Sequence, residues 1–128
     1  MIAEAALCIA LNVFFETAPK EPLDGKLSVA FVPRTRAQRN STSVCWEIFK
    51  ENQFSWANDG KNLKVLPSGE KWDEALVIAQ QVLNDTVLDP TNGATHYHWI
   101  GIRPKWARDG KLVRIGVRGS HMFYKERQ

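Results

Sequence analysis

The chain has 128 residues, 44% of them hydrophobic, and a formal net charge of +3 with a pI near 9.0. That is enough apolar material for one core and too little length for two, so a single domain over residues 1–128 is expected. The basic excess suits an anionic partner such as nucleic acid, a lipid surface or an acidic polymer, but is too small to select one.

The chain opens on an apolar segment. Ile2, Ala5, Ala6, Ile9, Ala10 and Val13 recur at the spacing of one helical face, and Glu16 is the next member of the series. Leu7, Cys8, Leu11 and Phe15 make the other side apolar too, which predicts a helix running through a core, broken only by Glu4 and Asn12. There is no basic n-region, and the polar interruptions fall short of a membrane span, so no export signal or transmembrane helix is expected. A carboxylate at the exit of such a helix loses water, and its pKa rises toward what a general acid needs. The competing reading puts Glu16 in an exposed loop opened by Pro19. Two cysteines, Cys8 and Cys45, lack metal-type spacing; Cys8 reads as a small buried hydrophobe, and neither a disulfide nor a reducing compartment follows.

Pro19, Pro22 and Gly25 predict a loop, then a short second helix from Leu23 or Asp24 through Val32, ending before Pro33, with Leu23, Leu27, Ala30 and Phe31 buried. Residues 33–43 carry three arginines among small polar residues and read as an exposed connection. The stretch from Val44 to Trp56 mixes polar and aromatic side chains before the turn-forming Asn58-Asp59-Gly60. Gln53 and Ser55 beside aromatic faces fit a sugar-binding groove, whereas Phe54 and Trp56 as core filling is the alternative.

A third helix is predicted over Gly69–Asn84, with Trp72, Ala75, Leu76, Ala79, Val82 and Leu83 on one face and Ser68 as cap. Asp89-Pro90-Thr91-Asn92-Gly93 is a turn. Ala94–Ile100 alternates as a strand, with His96 and His98 on the same side, and Leu112–Val117 with His121–Tyr124 forms a hairpin around Arg118-Gly119-Ser120. Helices first and strands last point to an α+β fold. His96 and His98 could hold a metal with His121 as third ligand. No Asp or Glu accompanies them at useful spacing, and hydrogen bonding to substrate or core is preferred. Ser55, Ser120 and Cys45 lack the context of a nucleophile.

Several segments, in one order along most of the chain, carry a family likeness. These are Asn12-Val13-Phe14-Phe15-Glu16, Glu21-Pro22-Leu23-Asp24-Gly25-Lys26, Val44-Cys45, Gln53-Phe54-Ser55-Trp56, Asp89 through His98, Pro104-Lys105-Trp106-Ala107, Gly116, and His121-Met122-Phe123-Tyr124. In these the chain resembles the SleB-type cell-wall hydrolases, which include spore-cortex-lytic enzymes and phage-encoded endolysin-like proteins.

The resemblance implies a small lysozyme-like fold, with a central buried helix and a small antiparallel sheet. It implies cleavage of peptidoglycan between N-acetylmuramic acid and N-acetylglucosamine, with Glu16 as general acid/base, protonating the glycosidic oxygen. Lytic transglycosylation, in which the muramic 6-hydroxyl attacks, would need only one carboxylate. An ordinary glycosidase needs a second, for which Glu21, Glu47 and Asp59 are candidates. Gln53, Ser55, Thr95, His96, Tyr97, His98 and Tyr124 are the expected glycan-binding residues.

The pattern departs from the family where Thr17-Ala18 replaces Ala-Arg, where one extra residue precedes Glu21, and where Thr35-Arg36 follows Pro33 in place of Asn-Arg. The expected enzyme is monomeric, with no metal, cofactor or nucleic-acid partner. It would be a phage endolysin or virion lysin, reaching the wall by holin-type release or from the virion. A zinc-dependent peptidoglycan amidase and a non-catalytic basic module binding nucleic acid or anionic polymer are the alternatives.

Overall fold

The computed structural model describes residues 3–50 and 66–127. Gln53, Phe54, Ser55 and Trp56, the Asn58–Gly60 turn and Ile2 lie outside them. The predicted α+β order is observed: α1 (Glu4–Glu16), α2 (Leu23–Asn40), α3 (Val44–Phe49), α4 (Glu70–Leu83), β1 (His96–Trp99), α5 (Lys105–Arg108), β2 (Leu112–Arg118) and β3 (His121–Glu126). Among the described residues no helix is long and apolar enough to cross a membrane.

α1 is apolar all round because it is enclosed by helices. Ile9, Ala10, Leu11 and Val13 pack with Ala30 and Phe31 of α2, Ile48 of α3, and Trp72, Ala75, Ile78, Ala79 and Val82 of α4. Asn12, which interrupts the apolar run, is fully buried and donates from Nδ2 to the Tyr97 hydroxyl at 3.3 Å. The helix ends where Thr17 turns extended, its amide and its Oγ1 both bonded to the Val13 carbonyl. α4 falls where its periodicity places it; Gly69, at φ 100, is its cap rather than Ser68.

Three expectations are corrected. α2 does not stop before Pro33 but runs through it to Asn40. A proline inside a helix loses one hydrogen bond and crowds the carbonyl four residues back, at a cost of about 3 kcal/mol. α2 tolerates this because it is buried on two sides. Ala30 and Phe31 face the helical core, while Val29 and Val32 pack with Ala94 and Phe123 under the sheet. Each such side chain contributes roughly 1.5–3 kcal/mol. Leu23, expected inside, is exposed instead. The segment after Pro33 is therefore helix as far as Asn40 with Arg36 and Ala37 buried, and the expected exposure holds only for residues 38–41 and 43.

α3, read from the sequence only as a mixed segment, is a helix with Ser43 accepting the Trp46 amide as N-cap. A disulfide joins Cys8 on α1 to Cys45 on α3, with Cα atoms 5.4 Å apart.

The sheet has the order β1-β3-β2, all antiparallel. The Asp89 carboxylate accepts from the Thr91 amide and hydroxyl and the Gly93 amide, so the predicted turn is a rigid entry to β1. β2 carries an irregularity between Arg114 and Gly116, where φ is 140. Pairing of His96 with Tyr124 and His98 with Met122 puts these four on one face. Tyr97, Trp99, His121 and Phe123 take the other.

Candidate active site

Glu16 is the last residue of α1 and stands half-buried at the edge of a cleft of about 720 Å³. Two features hold that helix end. Thr17 caps it, and Lys71 of α4 donates to the Phe14 carbonyl at 2.5 Å while lying 4.5 Å over the Phe14 ring. Loss of water raises the Glu16 pKa to about 7, so much of the carboxyl keeps its proton near neutrality. No described residue hydrogen-bonds or ion-pairs with that carboxyl. Its charge is felt by the Tyr97 hydroxyl, whose pKa is raised first by burial and then by Glu16.

The facing wall comes from the edge strand β1 and from α5. Trp106 of α5 stands with its ring centroid 5.4 Å from His96, 5.6 Å from His98 and 5.4 Å from Tyr124. Pro104, which ends the preceding loop, sets the start of this short helix and also lines the cleft. Nδ1 of His98 can only donate to the Trp99 carbonyl, at 2.8 Å, so in the neutral ring Nε2 accepts from the Tyr124 hydroxyl at 2.9 Å. His96 is held neutral at pH 7, its pKa lowered to about 4 by burial and by the Arg36 charge. Trp99 and Ile102 extend the wall as exposed apolar surface, 56% and 55% accessible. Flat aromatic faces beside neutral hydrogen-bonding side chains match sugar rings, which present both C–H faces and hydroxyls.

The floor is polar and fully paired. Arg36 bonds Glu47 at 3.3 Å and the Thr95 carbonyl at 3.3 Å. Burial alone would raise the Glu47 pKa, but hydrogen bonds from Thr42, Asn40 and Lys50 outweigh it and hold it down to about 2. Glu21 accepts from the amide and hydroxyl of Ser120 and meets Nδ1 of His121 at 3.1 Å. Glu47 is thus a structural ion pair, Glu21 is bonded behind the cleft wall, and Asp59 lies outside the described residues.

Of the residues expected from the sequence, Glu16, His96, Tyr97 and His98 line one cleft. Thr95 and Tyr124 do not line it. Thr95 is fully buried, bonded through Oγ1 to the His96 ring and the Glu126 amide, while Tyr124 carries His98. Gln53 and Ser55 lie outside the described residues. Trp99, Trp106 and Ser120, none assigned to a site from the sequence, line it as well, as does Arg36; Pro104-Lys105-Trp106-Ala107 was a visible motif without an assigned role. His121 also lines the cleft, but its Nδ1 is engaged by Glu21. Among the described residues no three His, Cys, Asp or Glu side chains form a group that could hold a metal ion.

A model of the cell wall hydrolase family matches residues 20–124, beginning just after Glu16. No individually curated protein matches the chain. Two solved structures share its fold. The catalytic domain of the Bacillus cereus SleB protein is 25% identical, with a TM-score of 0.70 over 98% of this chain and 93% of that one. The catalytic domain of the germination-specific lytic transglycosylase SleB from Bacillus anthracis is 25% identical, with a TM-score of 0.72 over 96% of each chain.

Proposed function

Because this chain belongs to the cell wall hydrolase family, we propose that it cleaves peptidoglycan glycan strands between N-acetylmuramic acid and N-acetylglucosamine, as a lytic transglycosylase with Glu16 as general acid. The observation that carries this reading is a helix-end carboxyl with a pKa of about 7, open to an aromatic-walled cleft. Such a group still holds a proton at neutral pH and can deliver it to the glycosidic oxygen as the bond breaks. The positive charge then developing on the muramic ring faces the carboxylate that Glu16 has become.

Glu16 is the one carboxylate among the described residues lining the cleft, which supports attack by the muramic 6-hydroxyl over a two-carboxylate hydrolysis. His96, Tyr97, His98, Trp99 and Trp106 would bind the glycan; Thr95 and Tyr124 would orient the histidines. The whole of residues 1–128 would act as one catalytic unit. Delivery to the wall by holin-type release or on a virion is proposed with it, on the resemblance to phage-encoded endolysin-like proteins.

The test is digestion of purified peptidoglycan followed by mass spectrometry. Anhydro-muramic ends, one water lighter than hydrolytic ends, are expected. Reducing muramic ends would mean a muramidase, free N-terminal L-alanine an amidase, and no soluble fragments a binding module.

A further inference from the structure

Glu21, Ser120 and His121 form a buried cluster on the cleft wall that the acid step does not use. Glu21 lies in the connection between α1 and α2, Ser120 is the turn residue before β3 and His121 its first residue, so the contact spans about a hundred residues of chain. The turn is shaped around the carboxylate. Gly119 sits at φ 60, and a Cβ there would come within 2.6 Å of Glu21 Oε2. Glu21 accepts from the Ser120 amide at 3.0 Å and from the Ser120 hydroxyl at 2.6 Å. As a carboxylate Glu21 can only accept, so the 3.1 Å contact of its Oε1 with Nδ1 of His121 is a donation from the ring. The tautomer follows: Nδ1 carries the proton and Nε2 keeps its lone pair.

The ring is held in plane by Tyr97, edge-on at 5.3 Å, and by Phe123 at 6.3 Å. His121 is 4% accessible and lines the same cleft as Glu16. No described residue hydrogen-bonds Nε2. Since no buried side-chain nitrogen among the described residues lacks a partner, Nε2 lies at the cleft surface.

We propose that His121 is a second catalytic residue, the base that takes the proton of the attacking hydroxyl, with Glu21 as its positioning residue. The proposal rests on the glycosidase reading above. In the step, the hydroxyl proton passes to Nε2 as its oxygen bonds to the anomeric carbon. The glycosidic bond breaks, and the leaving oxygen takes the Glu16 proton. The products are an imidazolium on His121 and a carboxylate on Glu16; proton exchange with solvent restores both. Burial and the neighbouring His98 lower the His121 pKa, while Glu21 raises it, with a net lowering that leaves the ring neutral at pH 7. Against it lie Glu21, Ser120 and Tyr97, with His98, Arg36 and Glu16 elsewhere on the cleft wall.

The experiment compares wild type with Glu16→Gln, His121→Gln and Glu21→Gln for peptidoglycan turnover against pH, wall binding and melting temperature. It adds imidazole ¹⁵N spectra of the intact protein, with the three histidines assigned by single variants. Expected is a loss of kcat of about 10²- to 10⁴-fold in His121→Gln, with wall binding held. The acid limb of the wild-type profile should vanish in that variant and move to lower pH in Glu21→Gln. The spectrum at pH 7 should show Nδ1–H and a bare Nε2. Turnover in folded His121→Gln near that of wild type, while Glu16→Gln is inactive, overturns the base and leaves the acid standing. An Nε2–H tautomer also overturns it, whether or not His121→Gln folds. Wild-type turnover in Glu16→Gln would instead remove the glycosidase reading, and the base with it.

Discussion

Arg36, near the C-terminal end of α2, lies 3.3 Å from the carboxylate of Glu47 on α3, which is fully buried, and its guanidinium also reaches the Thr95 carbonyl just before β1. One side chain thereby ties two helices to the strand that carries His96 and His98. Taking the carboxylate from a buried guanidinium is costly, so Glu47→Ala should lose about 3–5 kcal/mol in urea unfolding, and Arg36→Ala less, because Lys50, Thr42 and Asn40 still hold Glu47. An apolar replacement of both should recover much of that loss. Glu47 also sets an acid limit. Its folded pKa of about 2 lies below the ordinary 4.5, so its stabilisation is present above pH 4.5 and lost as pH falls toward 2. Melts at pH 7, 4 and 3 should show the Glu47→Gln deficit shrinking.

For Glu16 the sign is reversed. Its pKa is raised from 4.5 to about 7, so across that window the folded chain holds a proton that the unfolded chain gives up. Stability therefore falls as pH rises from 4.5 to 7. Glu16→Gln should escape this loss and gain on wild type by on the order of 1 kcal/mol at pH 8, read as a higher Tm. The same variant should lose about 10²- to 10⁴-fold in turnover while still binding the wall. Wild-type kcat/KM should fall as pH rises through about 7. Unchanged activity in a folded Glu16→Gln protein would remove Glu16 as the acid.

Trp99 and Trp106 separate binding from support. Trp99 is exposed on the cleft wall, so Trp99→Ala should leave the melt within about 0.5 kcal/mol of wild type and weaken wall binding by about 2- to 10-fold. Trp106 packs against His96, His98 and Tyr124, so Trp106→Ala should lower kcat as well, through misplaced histidines. Sedimentation with peptidoglycan, beside turnover, distinguishes the two.

The Cys8–Cys45 bridge closes a loop of 37 residues between α1 and α3. Constraining an unfolded loop of that size is worth about 3 to 4 kcal/mol. Reduction, or paired replacement by serine, should lower the Tm accordingly. Activity well below the melt should persist, because the bridge lies two turns of α1 away from Glu16. Thermal melts with and without reductant check this.

Local pattern carried a good part of the molecule. The apolar run ending in Glu16, the periodic face of α4, the Asp89–Gly93 turn and the β2–β3 hairpin each depend on side chains a few residues apart, which a period or a turn signal records. Even the elevated pKa of Glu16 could be anticipated, because a carboxylate continuing an apolar stripe loses water wherever that stripe is buried. Tertiary packing decided the rest. Pro33 reads as a stop until α2 is seen enclosed on two sides, and Arg36 reads as solvated until it meets Glu47. Cys8 and Cys45, Asn12 and Tyr97, and Glu21 and His121 are paired across 37, 85 and 100 positions. Nothing in the spacing of neighbours encodes such meetings, because they form only when burial of apolar faces brings distant segments together and each buried polar group must find a partner there.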